Sequence, residues 1–328
     1  MKYVAFERNR QRRIGIAHDK WIVDVESLFR FLAKGSFPAG LKKSVRFRKA
    51  RRALLKDGAA PSEMIELLAK GRPWLGLLEQ VDNLVADSGA GKDTPGMYVR
   101  LDSARLQAPV LRPGKIVCVG RNYAEHARES GNEPSASPIY FLKSSSAICH
   151  PGSAIRLPSN SSQVDYEAEL AVVIGRRGKH IAADHAHEYI AGYTILNDVS
   201  ARDMQEQDGQ WFRAKSCDTF SPLGPWIVSA REIPEPGLLG IRLTLNGKVM
   251  QDSNTGHLIF DIPFLISYLS ESMTWEAGDI LSTGTPSGVG AHQNPPVFLQ
   301  PGDVVKIDVE KVGALTNTIA AADSRRTR

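Results

Sequence analysis

The chain has 328 residues, 42% of them hydrophobic and 23% charged, the balance of an ordinary globular protein with room for one large domain and a smaller one. No apolar run reaches the length of a membrane span, and "MKYVAFERNRQRR" at the start has no signal-like apolar core, so no membrane partner and a cytoplasmic location are expected. A net charge of +5 is too mild to argue for nucleic acid, and three cysteines (Cys118, Cys149, Cys217) without a C-x-x-C pair argue against a disulfide framework.

Residues 2–6, 13–17 and 21–25 predict three short strands, with turns at Asn9 and at His18-Asp19. Helical patterns follow: "VESLFRFLAKG", stopping at Gly35; "PSEMIELLAKG", opening at Pro61 and stopping at Gly71; and "WLGLLEQVDNLVAD". Much of the positive charge lies in "KKSVRFRKARR" (42–52) and the tail "SRRTR". Only Phe47 interleaves in the former, so it reads as a solvated helix face without the stacking platform of a single-strand binder. "SGAGKDT" fails as a phosphate loop, because Ala86 stands where the first glycine belongs and Asp93 follows Lys92.

From about residue 105 the pattern changes to short β-rich runs separated by Gly/Pro turns, with "FDIPFLISYLSESM" the clearest helix. The expected organisation is a small N-terminal α/β domain over 1–105 and an α+β domain with mixed sheets over 106–328.

"GRNYAEHARES" (120–130) follows an apolar strand, and Asn122 is placed to cap a short helix carrying His126 and Glu129 at i,i+3. A carboxylate bonded to one imidazole nitrogen orients the ring and leaves the other free to take a proton, although the same spacing also occurs in plain surface pairs. "DYEAEL" (165–170), read as a strand, sets Asp165, Glu167 and Glu169 on one face about 7 Å apart, where each adjacent pair repels by roughly 2–3 kcal/mol. Such a face is either a solvated edge or a buried one that needs a basic partner or a cation. A strand ending at Asn197-Asp198 supplies a fourth carboxylate. Lys215 stands among small residues with no helix to explain it. His180, His185 and His187 read as surface histidines rather than metal ligands. "GTPSGVG" (284–290) is not a nucleophile elbow, but its glycines suggest backbone lying close to a ligand.

In this order, "GRNYAEHARE", "DYEAEL", "NDVSARDMQ", "AKSCDTFSPLGPW" and "GDILSTGTPSGVG" resemble the fumarylacetoacetate hydrolase superfamily over residues 105–320, and residues 1–105 are similar to the variable extra domain of some members. The resemblance implies an α+β mixed β-sheet roll and a divalent cation held by Glu167, Glu169 and Asp198, with Asp165 beside the ligands. All-oxygen ligation favours Mg²⁺ or Mn²⁺, with Ca²⁺ also compatible, over Zn²⁺. By the same resemblance His126 and Glu129 activate water, Lys215 stabilises developing oxyanion charge, and Gln205 and Thr285 contact the substrate's carboxylate and oxo oxygens. Lys143 in "YFLKSSSA" matches a basic substrate contact. Cys217 stands where many relatives carry an aromatic residue, which would reshape the pocket wall beside Lys215.

The activity implied is metal-dependent hydrolysis of a C–C bond in a 2-oxo or β-diketo acid, acylpyruvate-, fumarylpyruvate- or fumarylacetoacetate-like, of the kind met in aromatic catabolism. The alternative on the same enolate chemistry is an oxaloacetate-type decarboxylase, a hydroxydienedioate isomerase or a small hydroxy-acid lyase or dehydratase. The expected partners are a small anionic 2-oxo acid and a second copy of the chain in a homodimer.

Overall fold

The protein is described by a computed structural model that covers residues 1–34, 37–56, 58–89 and 94–322. The expected helix stop at Gly35, the Lys92-Asp93 pair and the basic tail lie outside these residues. The three N-terminal strands form a meander of β1 (Lys2–Arg8), β2 (Gln11–Ala17) and β3 (Trp21–Asp24). Asn9 and Arg10 both take positive φ, 51° and 61°, the mirror-image turn whose twist suits a two-residue hairpin. Helices Val25–Lys34, Val45–Lys56, Met64–Ala69 and Gly71–Asp87 follow. The second buries Phe47, Ala50 and Leu54 on one face and leaves Lys49, Arg46 and Arg48 in solvent, as the charge pattern predicts. Gly71, expected as a helix stop, has φ 76° and both breaks the preceding helix and opens the next.

The chain then builds β4 (Tyr98–Arg100), β5 (Ile116–Gly120), β6 (Ile139–Lys143), β7 (Ala168–Ile174), β8 (Ile190–Asn197), β9 (Ser221–Ser229) and β10 (Ile280–Ser282). With the meander, and with two short strands off the main path, Arg105–Gln107 beside β1 and Ile148–Cys149 beside β9, they form a twelve-stranded mixed sheet whose main path runs β4-β3-β2-β1-β9-β8-β7-β10-β5-β6. The N-terminal strands therefore extend the sheet through β1 against β9, with Lys2 opposite Val228.

Both faces of the sheet are covered, which is why β7 reads as an unbroken apolar run. Ala171 and Val173, with Ile116 and Cys118 of β5, pack under the N-terminal helices. Leu170, Val172 and Ile174, with Val117 and Val119, face a second, five-stranded sheet and the helix Ile262–Ser272. This second sheet contributes Ile241, Leu243, Ile307 and Val309 to the same core. No helix among the described residues is long and apolar enough to cross a membrane.

Candidate active site

Three features of the sheet gather the polar residues at one end. β7 and β8 are antiparallel with Ala168 opposite Asn197, so Glu167 and Glu169 at the start of one lie beside Asp198 at the end of the other. β5 and β10 are parallel, with Ser282 level with Cys118, so their C-terminal ends release Arg121 and Thr283 side by side. Asn122 ties these ends together: its amide donates to Thr283 O at 2.8 Å and to Phe260 O at 3.0 Å, and its Oδ1 accepts from Phe260 N–H. Asn122 is thus a clamp between loops and not the expected helix cap; Tyr123 precedes the helix Ala124–Glu129 without a side-chain cap.

The acidic stretch is not the single strand expected. Val164–Asp165 pairs with Ser200–Ala201 in its own ladder, and Tyr166 and Glu167 separate it from β7. All four acids are buried, which rules out a solvated edge. Glu167, Glu169 and Asp198 each offer an oxygen within 4.8 Å of the others, the one such group of acid, histidine or cysteine ligands among the described residues. Asp165 turns away from them. It accepts from Arg202, at 2.9 Å from Nη2, and from the backbone N–H groups of Gly290 and Ala291. His180, His185 and His187 are exposed, as expected.

Cations flank two of the three acids. Lys215 Nζ lies 2.8 Å from Glu167, 2.7 Å from Asp198 and 2.8 Å from Ser200 Oγ. It ends a short helix, Trp211–Lys215, that the sequence reading does not foresee. Lys143 bonds Asp198 at 2.5 Å and Val199 O, fully buried behind the cluster and not in the pocket wall. Its placement makes it a holder of Asp198 rather than a substrate contact. Burial works to raise the Glu167 carboxyl, but Lys215 and then Arg202 outweigh it and hold it far below the usual range.

Glu169 is different. It accepts from Ser282 Oγ and from Gly284 N–H, and among the described residues it has no ion-pair partner. Burial first, then Asp198 and Glu167, push its carboxyl well above the ordinary range. A buried acid with hydrogen bonds but no counter-charge, facing two more carboxylates, fits a divalent cation, and an all-carboxylate donor set suits Mg²⁺, Mn²⁺ or Ca²⁺.

The glycine-rich loop after β10, whose composition suggests backbone lying close to a ligand, gives three of its backbone N–H groups to acids of the site. Gly284 N–H serves Glu169, Gly288 N–H serves Glu129 at 2.9 Å, and Gly290 N–H serves Asp165 at 2.8 Å. Gly284 and Gly288 have φ near 100°, and a Cβ on either would meet Asn122 or Met250 O. Glu129, so fixed, accepts His126 Nδ1 at 2.8 Å, which leaves the imidazole Nε2 for the pocket.

The pocket is a cavity of about 270 Å³, the size for a small acid. His126, Glu167, Glu169, Gln205, Lys215 and Thr285 line it together. Phe141 and Trp211 make the apolar wall beside Lys215, whose Nζ is 4.9 Å from the Phe141 ring centre. Cys217 is partly buried and does not itself line this pocket.

Sequence reasoning misses Arg202, which binds Asp165, Glu167 and Gln205 Oε1, and the lining residues Arg121 and His292. For Arg202 the spacing to Gln205 at i,i+3 beyond a strand end was an available signal. Burial pushes the His292 imidazole down from its ordinary value. The arrangement can chelate a cation, hold an anion and move one proton at His126 Nε2.

A family model described as fumarylacetoacetate (FAA) hydrolase C-terminal matches residues 115–320. The chain is 48% identical over 261 residues to a Bos taurus protein named oxaloacetate tautomerase FAHD2A, mitochondrial, covering 79% of this chain and 80% of that one. Among solved structures, fumarylacetoacetate hydrolase from psychrophilic Exiguobacterium antarcticum matches with a TM-score of 0.75 and 31% identity over 98% of this chain and 99% of that one. A 2-hydroxyhepta-2,4-diene-1,7-dioate isomerase from Mycobacterium marinum matches with a TM-score of 0.61 and 43% identity, over 71% and 84%.

Proposed function

This chain belongs to the fumarylacetoacetate hydrolase superfamily, and from that premise we propose that it is a divalent-cation-dependent enzyme moving a proton on the carbon next to the oxo group of small anionic 2-oxo acids, so interconverting keto and enol forms of oxaloacetate-like acids. The observation that carries this reading is the His126 imidazole. Glu129 fixes it through Nδ1, and the ring lines one pocket with Glu167 and Glu169. Two of the three relatives, named an oxaloacetate tautomerase and a dienedioate isomerase, favour proton transfer; the third, at lower identity, is named a hydrolase.

Glu167, Glu169 and Asp198 would hold the cation. When bound, it supplies Lewis acidity that polarises the 2-oxo group and acidifies the neighbouring C–H. The chain's own residues do the rest. His126 takes and returns the proton at Nε2, and Glu129 stabilises the imidazolium that forms meanwhile. Lys215 offers positive charge to the oxygen on which negative charge develops. Gln205 accepts from Arg202 through Oε1, which leaves its NH₂ to donate to substrate. Phe141 and Trp211 exclude water, which strengthens each of these interactions.

Hydrolysis of acylpyruvate-like acids is the second reading, and the His126–Glu129 pair supports it because the same base could deliver water to a distal carbonyl. With Mg²⁺ or Mn²⁺ present, enol-to-keto conversion of oxaloacetate followed by ultraviolet absorbance is expected to outrun both its decarboxylation and the cleavage of acylpyruvates. Acylpyruvate cleavage faster than enol conversion would replace the first reading with the second.

A further inference from the structure

A buried amide behind the glycine-rich loop dictates what Thr285 can do. Gln251 sits on the strand Lys248–Asn254 of the second sheet, is 1% exposed and does not line the pocket. It bridges the two sheets. On one side the Ala168 N–H, between Glu167 and Glu169, donates to Gln251 at 2.9 Å. On the other side lie Thr285 Oγ1 and Pro286 O, both at 2.8 Å.

Chemistry settles which end of the amide is which. A backbone N–H only donates, so the atom facing Ala168 is Oε1; the Pro286 carbonyl only accepts, so the atom facing it is Nε2. The two N–H bonds of the amide are then spent on Pro286 O and Thr285 Oγ1. Thr285 Oγ1 accepts there, and its own hydrogen must go elsewhere. Thr285 is buried, lines the pocket and has no other hydrogen-bond partner among the described residues.

We infer that Gln251 is a positioning residue that makes Thr285 a dedicated hydrogen-bond donor into the pocket, so that the substrate oxygen seated against it is an acceptor. This rests on the reading that the pocket takes a 2-oxo acid, and it specifies the form: a carboxylate, carbonyl or ionised enolate oxygen is matched at Thr285, and a group that must donate there is mismatched.

The test is calorimetric binding of oxalate, whose ionised oxygens can only accept, to Mg²⁺-loaded wild type, Gln251→Met, Thr285→Val and the double variant, with Mg²⁺ affinity measured alongside. Each single substitution is expected to weaken oxalate about 10-fold, the size of one lost hydrogen bond to a charged group. The double variant should be no weaker than Thr285→Val, because Gln251 acts through that hydroxyl. Mg²⁺ affinity should stay unchanged throughout.

Gln251→Glu keeps the size and the acceptor toward Ala168 but replaces the donor facing Thr285, so it too should weaken oxalate, and an unchanged circular dichroism spectrum with a cooperative melt for each variant guards against a folding defect. An undiminished Gln251→Met effect in the Thr285→Val background, unaltered binding by Gln251→Glu, or a wild type that does not bind oxalate would each overturn the inference. Oxalate binding with the predicted cycle but no metal-dependent proton exchange on 2-oxo acids would instead overturn the functional reading and leave this one standing.

Discussion

His126→Ala is expected to keep its divalent-cation affinity while enol–keto conversion of oxaloacetate falls by roughly 10²–10⁴, the usual range for loss of a general base. The separation follows from geometry. His126 bonds Glu129 and lines the pocket, but it holds none of the three clustered acids, whose partners are Lys215, Lys143, Arg202, Ser282 and Gly284. Truncating the ring removes the Nε2 base and nothing that shapes the cation site. Glu129→Gln should lie between the two, because a neutral amide can still orient the ring but stabilises imidazolium less. Spontaneous loss of CO₂ from bound oxaloacetate needs chelation and no base, so any decarboxylation should be affected much less. Stopped-flow absorbance with calorimetric Mg²⁺ titration of the same samples checks both halves. Wild-type conversion rates in His126→Ala would remove the dyad from the chemistry.

Glu169→Gln is expected to abolish measurable turnover and at the same time raise the thermal stability of the metal-free protein. Three carboxylates with oxygens within 4.8 Å repel by about 3 kcal/mol per ionised pair at an effective dielectric of ~20, and Lys215 offsets this most for Glu167 and Asp198, which it contacts, and less for Glu169, which it does not. Removing the charge of Glu169 should therefore stabilise the metal-free fold by ~1–3 kcal/mol.

The pH dependence has a definite sign. The Glu169 carboxyl is raised in the folded state, by burial and then by Asp198 and Glu167. Its favourable protonated form is fully present below the unfolded carboxyl value of about 4.3 and is lost as pH climbs through the higher folded value. The Tm advantage of Glu169→Gln over wild type, without metal, should thus widen as pH rises from the ordinary carboxylate range toward neutrality. Saturating Mg²⁺ should reverse it, since the cation stabilises the wild type and not the variant. Equal Tm values at all pH would show that the acids do not repel.

Much of the site was legible because its polar residues occur in short local patterns. Glu167 and Glu169 alternate before an apolar run, Asp198 ends a strand, and His126 and Glu129 share a helix face; the fold brings these together with Gln205, Lys215 and Thr285. The mixed sheets were legible as β-rich runs, while the burial of β7 on both faces becomes clear only from what packs on each side of it.

What escaped depends on partners remote in sequence. Asn122 has the composition of a cap, but the parallel ends of β5 and β10 require a clamp there, which only the register reveals. Lys143 looks like a substrate contact from its neighbours, yet it points behind Asp198, 55 positions away. Gln251 lies 83 positions from Ala168 on a different sheet, and nothing local marks it. The glycines of 284–290 were recognisable as close backbone approach, but not as donors to three acids drawn from three elements.

The central claim is that a divalent cation at Glu167, Glu169 and Asp198 and a base at His126 together labilise the C–H beside a 2-oxo group. Deuterium wash-in at C3 of a 2-oxo acid in D₂O, followed by proton NMR, measures this step without committing the substrate to tautomerisation, cleavage or decarboxylation. Exchange should be fast with Mg²⁺ or Mn²⁺, fall to the uncatalysed rate after chelation, and return when the metal is restored. Exchange at the full rate in the chelated protein, or none with the metal restored, would contradict it.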